Sequence, residues 1–86
     1  MNIVLHKRFG KMAAKLPPKT KQKMIERMAL FTQDPTNSQL RSHSLNTPYK
    51  GSYSIDITGD VRAIYELVDK ETALFTHIGS HSQLYR

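Results

Sequence analysis

The sequence predicts a small α+β domain: an N-terminal strand, a two-helix hairpin, then a three-stranded antiparallel meander. Three observations carry this reading. Apolar residues recur with a helical period in the first third of the chain and alternate strictly from Tyr53 onward. A Pro17-Pro18 pair divides the helical part in two. The chain has 86 residues, which suits one hydrophobic core, so residues 1–86 are read as a single domain.

Each element has its own signal. Ile3, Val4 and Leu5 mark a short strand over residues 2–6. Phe9, Met12, Ala13 and Leu16 follow at i, i+3, i+4 and i+7, one apolar stripe on a helix from Lys7 to Leu16. Pro17-Pro18 stops it, and Pro18 can occupy the first turn of the next helix, where its missing N–H has no partner to lose. That helix runs to Thr32, with Met24, Ile25, Met28, Ala29 and Phe31 expected to face inward. Residues 33–52 carry Pro, Asn, Ser, Thr and Gly, with Leu40, Leu45 and Tyr49 as sparse apolar anchors, and read as one long connection. Tyr53, Ile55 and Ile57 alternate with Ser54, Asp56 and Thr58, and Gly59-Asp60 turns. Val61, Ala63, Tyr65 and Leu67 then alternate, Asp69-Lys70-Glu71 turns again, and Thr72 to Ile78 forms the last strand. Helices on one face leave the other face of the sheet open.

Composition excludes several classes of function. The chain has no cysteine, which rules out disulfides and thiolate metal sites. Its apolar runs are only a few residues, against the roughly 20 that span a bilayer. The Met1-Asn2-Ile3-Val4-Leu5 start lacks the apolar stretch of a signal peptide, so a cytoplasmic protein without membrane association is expected. Thirteen Lys and Arg against seven Asp and Glu give a net charge of +6. Residues 1–30 hold eight of those bases and one acid, Glu26. A basic block of this kind attracts polyanions and releases counterions on binding nucleic acid. An acidic protein partner, or plain solubility of a helical hairpin, accounts for the same excess.

The alternation puts Asp56, Arg62 and Glu66 on the open face, beside a loop holding His43 and a tail holding His81. Arg62 can grip a phosphodiester in a fork and stabilise charge as a pentacoordinate state forms. A histidine can give or take a proton near neutral pH, and an acidic neighbour such as Asp60 can orient it. Asp56 and Arg62 also fit an ordinary cross-strand ion pair. The four histidines, His6, His43, His77 and His81, do not make a metal motif: His77 and His81 straddle Gly79-Ser80 at a strand end, and nothing resembles HExxH. No metal and no cofactor are expected. Leu84-Tyr85-Arg86 sets an aromatic ring beside a cation, a pairing suited to stacking on an unpaired base.

Residues Gly51 to Glu66, reading GSYSIDITGDVRAIYE, followed by Ile78-Gly79-Ser80-His81-Ser82-Gln83-Leu84-Tyr85, resemble the C-terminal half of RelE/ParE superfamily toxins. The GSHxxLY ending and the His43-Ser44-Leu45 segment resemble YafQ-type mRNA interferases in particular. The resemblance implies a RelE-like microbial RNase fold and a ribosome-dependent endoribonuclease, paired with an antitoxin, that cleaves translated mRNA in the ribosomal A site. It implies attack of the ribose 2′-oxygen on the adjacent phosphorus without a metal. It also assigns His43, Asp60, His81 and Tyr85 to the active site, and Arg62 to the position where RelE-like toxins keep a phosphate-binding arginine. In that scheme His81 is the general acid or base, His43 or Asp60 complements it, Arg62 stabilises the transition state and Tyr85 positions the base. Two positions depart from the pattern. Asp56 stands where YafQ relatives carry a histidine and RelE relatives a lysine, which makes it an auxiliary acid–base candidate, and position 54 is serine rather than lysine. Lys50 is the candidate to compensate from the preceding loop. The basic hairpin, with Lys7, Arg8, Lys11, Lys15, Lys19, Lys21 and Lys23, is then a grip on ribosomal RNA phosphates. The bound antitoxin would cover apolar surface and occlude the site. Two other readings fit the same chain: a ParE-like toxin that acts on DNA gyrase and has no nuclease site, and a non-catalytic basic RNA-binding protein.

Overall fold

The computed structural model describes residues 1–85. Strand β1 (Asn2–Leu5) leads into helix α1 (Lys7–Ala14), and helix α2 (Pro18–Gln33) returns across the sheet. A 3-10 turn (Ser38–Leu40) and the two-residue strand β2 (His43–Ser44) come next. Strands β3 (Tyr53–Asp56), β4 (Val61–Asp69) and β5 (Thr72–Ser80) form the meander, and a single helical turn α3 (His81–Leu84) ends it. The five strands lie in the order β1-β5-β4-β3-β2, antiparallel except for the parallel β1–β5 pair.

The predicted class and element order hold, with one strand, a 3-10 turn and the final helical turn added. β2 lies inside the expected long connection, and two residues are too few for any alternation to register. Arg41 turns the chain into it with a left-handed φ of 48°. Gly51, at φ 92°, closes the next turn into β3, a conformation that a Cβ disfavours.

The core lies between the two long helices and one face of the sheet. Phe9 from α1 and Phe31 from α2 pack on Ile55, Ile57, Ala63, Tyr65, Ala73, Phe75 and Ile78. Phe31 meets Tyr65 and Phe75 edge-on, with ring centroids 4.9 and 5.2 Å away. Burial of apolar area and these edge contacts are the main source of stability here. On α2 the inward stripe is Met24, Met28 and Phe31, with Leu30 beside it. Ile25 and Ala29, expected inside, are exposed, Ile25 by 64%. They sit on the next row of the helix, and Ile25 lines a groove with Ile3 and Leu5 of β1, which is the edge strand of the sheet among the described residues.

Leu67 also departs from the expected pattern, being exposed toward the end of β4, on the rim of a cavity it shares with Phe31. The face opposite the helices is less open than expected. α3 folds over it, and Ile64 and Leu84, both buried, belong to this second side rather than to the main core. A β-bulge in β5 changes which of its side chains reach that second side. Ile64 pairs with His77 while Tyr65 pairs with Phe75, so Thr76 is the extra residue.

Candidate active site

Register defines a row of side chains across the face opposite the helices. His43 pairs with Ser54, Ser54 with Ile64, and Ile64 with His77, so the four share one side of the sheet. In the next row, Asp56 pairs with Arg62 and Arg62 with Gly79. Gly79 leads directly to Ser80, the N-cap of α3. A capping box there, with Ser80 Oγ accepting from Gln83 N–H and Gln83 Oε1 accepting from Ser80 N–H, starts the turn that carries His81 and Tyr85 back over the face.

The result is a cleft of about 210 Å³ lined by His43, Leu45, Ser54, Arg62, Ile64, His81, Leu84 and Tyr85. It is smaller than the roughly 300–1,000 Å³ of pockets that enclose drug-sized ligands, a size suited to a sugar–phosphate unit. A larger cavity of about 560 Å³ opens beside Met1, Phe31, Tyr53 and Tyr65, but Arg62, His81 and Tyr85 take no part in it.

His43 is exposed and held at both ring nitrogens. Nδ1 lies 2.9 Å from the Arg41 carbonyl, which can only accept, so Nδ1 carries the proton. Nε2 is then the lone-pair nitrogen, and it faces the Ser54 hydroxyl at 3.4 Å. This arrangement makes His43 a proton acceptor on the cleft side. The His81 ring stacks on Tyr85, with centroids 4.7 Å apart and planes within 28°. Neither ring nitrogen of His81 is hydrogen-bonded among the described residues, and both His81 and Tyr85 are exposed. Tyr49, in the loop before β3, braces the turn. Its hydroxyl donates to the Leu84 carbonyl at 2.6 Å and its ring meets Tyr85 edge-on at 5.4 Å. Burial, and then the neighbouring Tyr85, hold the Tyr49 phenol above its usual value, so it stays protonated and donates.

Arg62 reaches the cleft with most of its fork already engaged. Nε lies 3.0 Å from Asp56 Oδ1, and Nη1 donates to the Thr58 and Gly59 carbonyls at 3.3 and 3.0 Å. Nη2 has no partner among the described residues and is the edge left for an anion. Asp56 is thus the cross-strand partner of Arg62, and Arg41 approaches its other oxygen at 3.5 Å. Asp60 is exposed in the turn between β3 and β4, outside the cleft. Its carboxylate meets no described partner, so the structure does not bring it to His81. Glu66 lies on the same face but is exposed and away from the cleft.

Among the expected RNA-gripping residues, Lys7, Arg8, Lys11, Lys15, Lys19 and Lys50 are exposed, while Lys21 and Lys23 are half-buried. Lys23 approaches Glu26 at 3.8 Å, and Lys50 does not line the cleft. Arg86, the cation of the expected Tyr85 pairing, lies outside the described residues. No group of three His, Asp or Glu side chains gathers at ligating distance among the described residues. No helix among them is long and apolar enough to cross a membrane. Ser54, Tyr49 and His77 do not stand out as site residues in the sequence, because their places depend on register, on a loop, and on a bulge.

Comparison with known proteins agrees with this architecture. The family model described as "Bacterial toxin of type II toxin-antitoxin system, YafQ" matches residues 1–86. The crystal structure of YafQ from E. coli strain BL21(DE3) is similar, with a TM-score of 0.82 at 21% identity over 99% of this chain and 98% of that one. YafQ in the E. coli DinJ-YafQ toxin-antitoxin complex gives 0.79 at 21% identity, covering 99% of this chain and 97% of the other. The RelB-RelE antitoxin-toxin complex from Methanococcus jannaschii gives 0.75 at 17% identity, covering 95% and 94%. At these identities the solved structures speak for the fold alone. No curated protein matches the chain significantly. The family model matches along the whole length, and the chain belongs to the YafQ family of bacterial toxins of type II toxin-antitoxin systems.

Proposed function

We propose that this toxin is a ribosome-dependent endoribonuclease that cleaves translated mRNA by acid–base catalysis. The observation that carries the reading is one cleft in which a proton-accepting His43 Nε2, the Arg62 guanidinium, a His81 whose ring nitrogens have no hydrogen bond among the described residues, and the Tyr85 ring meet. In RNA the nucleophile is part of the substrate, so the protein needs to supply only a base, an acid and a charge clamp.

His43 Nε2 takes the proton from the ribose 2′-hydroxyl as its oxygen attacks the adjacent phosphorus. The bond from phosphorus to the 5′-oxygen breaks, and that oxygen takes a proton from His81. The products are a 2′,3′-cyclic phosphate and a 5′-hydroxyl. Arg62, through Nη2, stabilises the extra negative charge of the pentacoordinate state. Tyr85 stacks on the base next to the scissile bond. His43 rather than Asp60 complements His81, because Asp60 lies outside the cleft. Asp56 keeps the Arg62 fork in place and takes no proton.

The exposed lysines of α1 and α2 fit a grip on ribosomal RNA, which delivers translated mRNA to a cleft too small to select a long substrate itself. The similar toxins YafQ and RelE form complexes with the antitoxins DinJ and RelB, and an antitoxin of this kind is the expected cytoplasmic partner here.

Primer extension on an mRNA undergoing translation tests the reading, using wild type, His81→Ala and His43→Ala. Cleavage at discrete codons by wild type, reduced on the order of 10²–10⁴-fold in either variant, is expected. Intact mRNA with the wild type would sink the nuclease reading and turn attention to gyrase supercoiling. Equal cleavage by all three would keep the reaction and remove both histidines from it.

A further inference from the structure

The row His43–Ser54–Ile64–His77 continues past the cleft. His43 and His77 stand three strand spacings apart, about 14 Å at the usual interstrand distance. That is further than the sugar and phosphate of one nucleotide extend, and the proposed chemistry makes no use of His77.

Three groups meet at this far end. The Tyr49 ring, fixed by its hydroxyl on the Leu84 carbonyl, lies between Tyr85 and His77, with centroids 5.4 and 5.1 Å away. It therefore continues the aromatic surface begun by His81 and Tyr85. His77 Nδ1 lies 2.9 Å from Thr76 Oγ1, and that hydroxyl gives its one proton to the Ile64 carbonyl at 3.4 Å. The imidazole must then donate through Nδ1, which leaves Nε2 as a lone-pair acceptor with no partner among the described residues. Arg8, exposed at the start of α1, anchors its Nε on the Thr76 carbonyl at 3.1 Å. No carboxylate pairs with it among the described residues, so its Nη groups are available to an anion. The neutral state of His77 is favoured by burial first, then by the Arg8 and His6 charges, with Glu66 acting weakly the other way. A π-face, a hydrogen-bond acceptor and an unneutralised guanidinium on one surface are the parts that hold one nucleotide of a single strand.

We propose that Tyr49, His77 and Arg8 form a second nucleotide subsite, which takes the base and phosphate of a nucleotide flanking the one whose ribose is attacked. The inference rests on the RNA-cleavage reading and extends it. Tyr49 offers a ring face for stacking, and Arg8 binds the flanking phosphate. His77 Nε2 accepts from an exocyclic amino group, so adenine, cytosine or guanine is preferred there over uracil.

The test uses oligoribonucleotides made uncleavable by 2′-deoxy substitution and follows the histidine Cε1–H resonances of the full-length protein by NMR. A dinucleotide is expected to move His43 and His81. A trinucleotide, extended in turn at the 5′ and at the 3′ end, is expected to move His77 as well and to bind roughly tenfold tighter in one of the two directions. Arg8→Ala brings the trinucleotide affinity down to that of the dinucleotide, while Arg8→Lys keeps part of the gain. A flanking uracil loses part of it too. A third nucleotide that adds no affinity, leaves His77 unmoved, or gains equally in Arg8→Ala overturns the subsite. Movement of His77 without His43 and His81 would instead support the subsite and overturn the assignment of the cleft.

Discussion

Replacing Asp56 by asparagine tests its structural role as the partner that holds Arg62. Its carboxylate is 15% exposed and lies 3.0 Å from Arg62 Nε, whose side chain is 27% exposed. A hydrogen bond between charged groups contributes about 1.5–3 kcal/mol to stability. Two features place this one at the lower end. Arg62 keeps the Thr58 and Gly59 carbonyls as acceptors, and an asparagine oxygen can still accept weakly. The Arg41 contact adds little, because that side chain is 77% exposed and 3.5 Å away. The expected loss is about 1.5 kcal/mol, against a total stability on the order of 4–13 kcal/mol for a domain of this length. Near the midpoint that corresponds to a fall in Tm of roughly 6–12 °C. Thermal denaturation of wild type, Asp56→Asn, Arg62→Gln and the double variant measures the coupling directly. A coupling of about 1 kcal/mol or more is expected. If Asp56→Asn shifts Tm by less than about 2 °C, or if the two single losses simply add, the pair does not hold Arg62 in place.

Other perturbations probe the same geometry. Tyr49→Phe removes the 2.6 Å bond to the Leu84 carbonyl and should cost about 0.5–1.5 kcal/mol in urea unfolding. Because that bond braces the turn carrying His81, its RNA cleavage rate should fall more than its stability alone accounts for. A Cβ on Gly79 would sit 2.8 Å from Gln83 Oε1, so Gly79→Ala displaces that side chain and opens the capping box, with a loss of about 1 kcal/mol and lower cleavage. Phe31→Ala empties a fully buried site between Tyr65 and Phe75 and should cost about 3–5 kcal/mol by equilibrium denaturation. His77 has a folded-state pKa below its unfolded value of 6.5, so the unfolded chain binds the extra proton first. Its contribution to stability is present above that value and is lost as pH falls through it toward the depressed native value. In His77→Gln the urea midpoint should vary less with pH across that window than in wild type. An equal slope in both proteins would contradict the assignment.

Much of the organisation of this chain depends only on neighbours in sequence and is legible there. Period 3.6 in Phe9, Met12, Ala13 and Leu16 and period 2 in Ile55, Ile57, Ala63 and Tyr65 identify the surfaces that meet in the core, because local geometry dictates which side chains share a face. The Pro17-Pro18 break and the basic first thirty residues are equally local. The Gly79-Ser80-His81 ending makes the candidate histidine visible, although only as part of a family pattern. Long-range packing settles the rest. Alternation places Arg62 on the open face but not its engagement by Asp56, Thr58 and Gly59, which needs the turn and the register. His43 acquires a proton-accepting Nε2 only because a left-handed Arg41 and a two-residue strand set it opposite Ser54. His77 reaches the same row only through the Thr76 bulge. The α2 stripe shows the limit from the other side: Ile25 fits the apolar pattern but is exposed, in a groove beside β1, the edge strand of the sheet among the described residues. Periodicity encodes which face of an element is apolar. Where that face ends, and which distant side chains converge on the other, is set by strand order, register and long-range contacts.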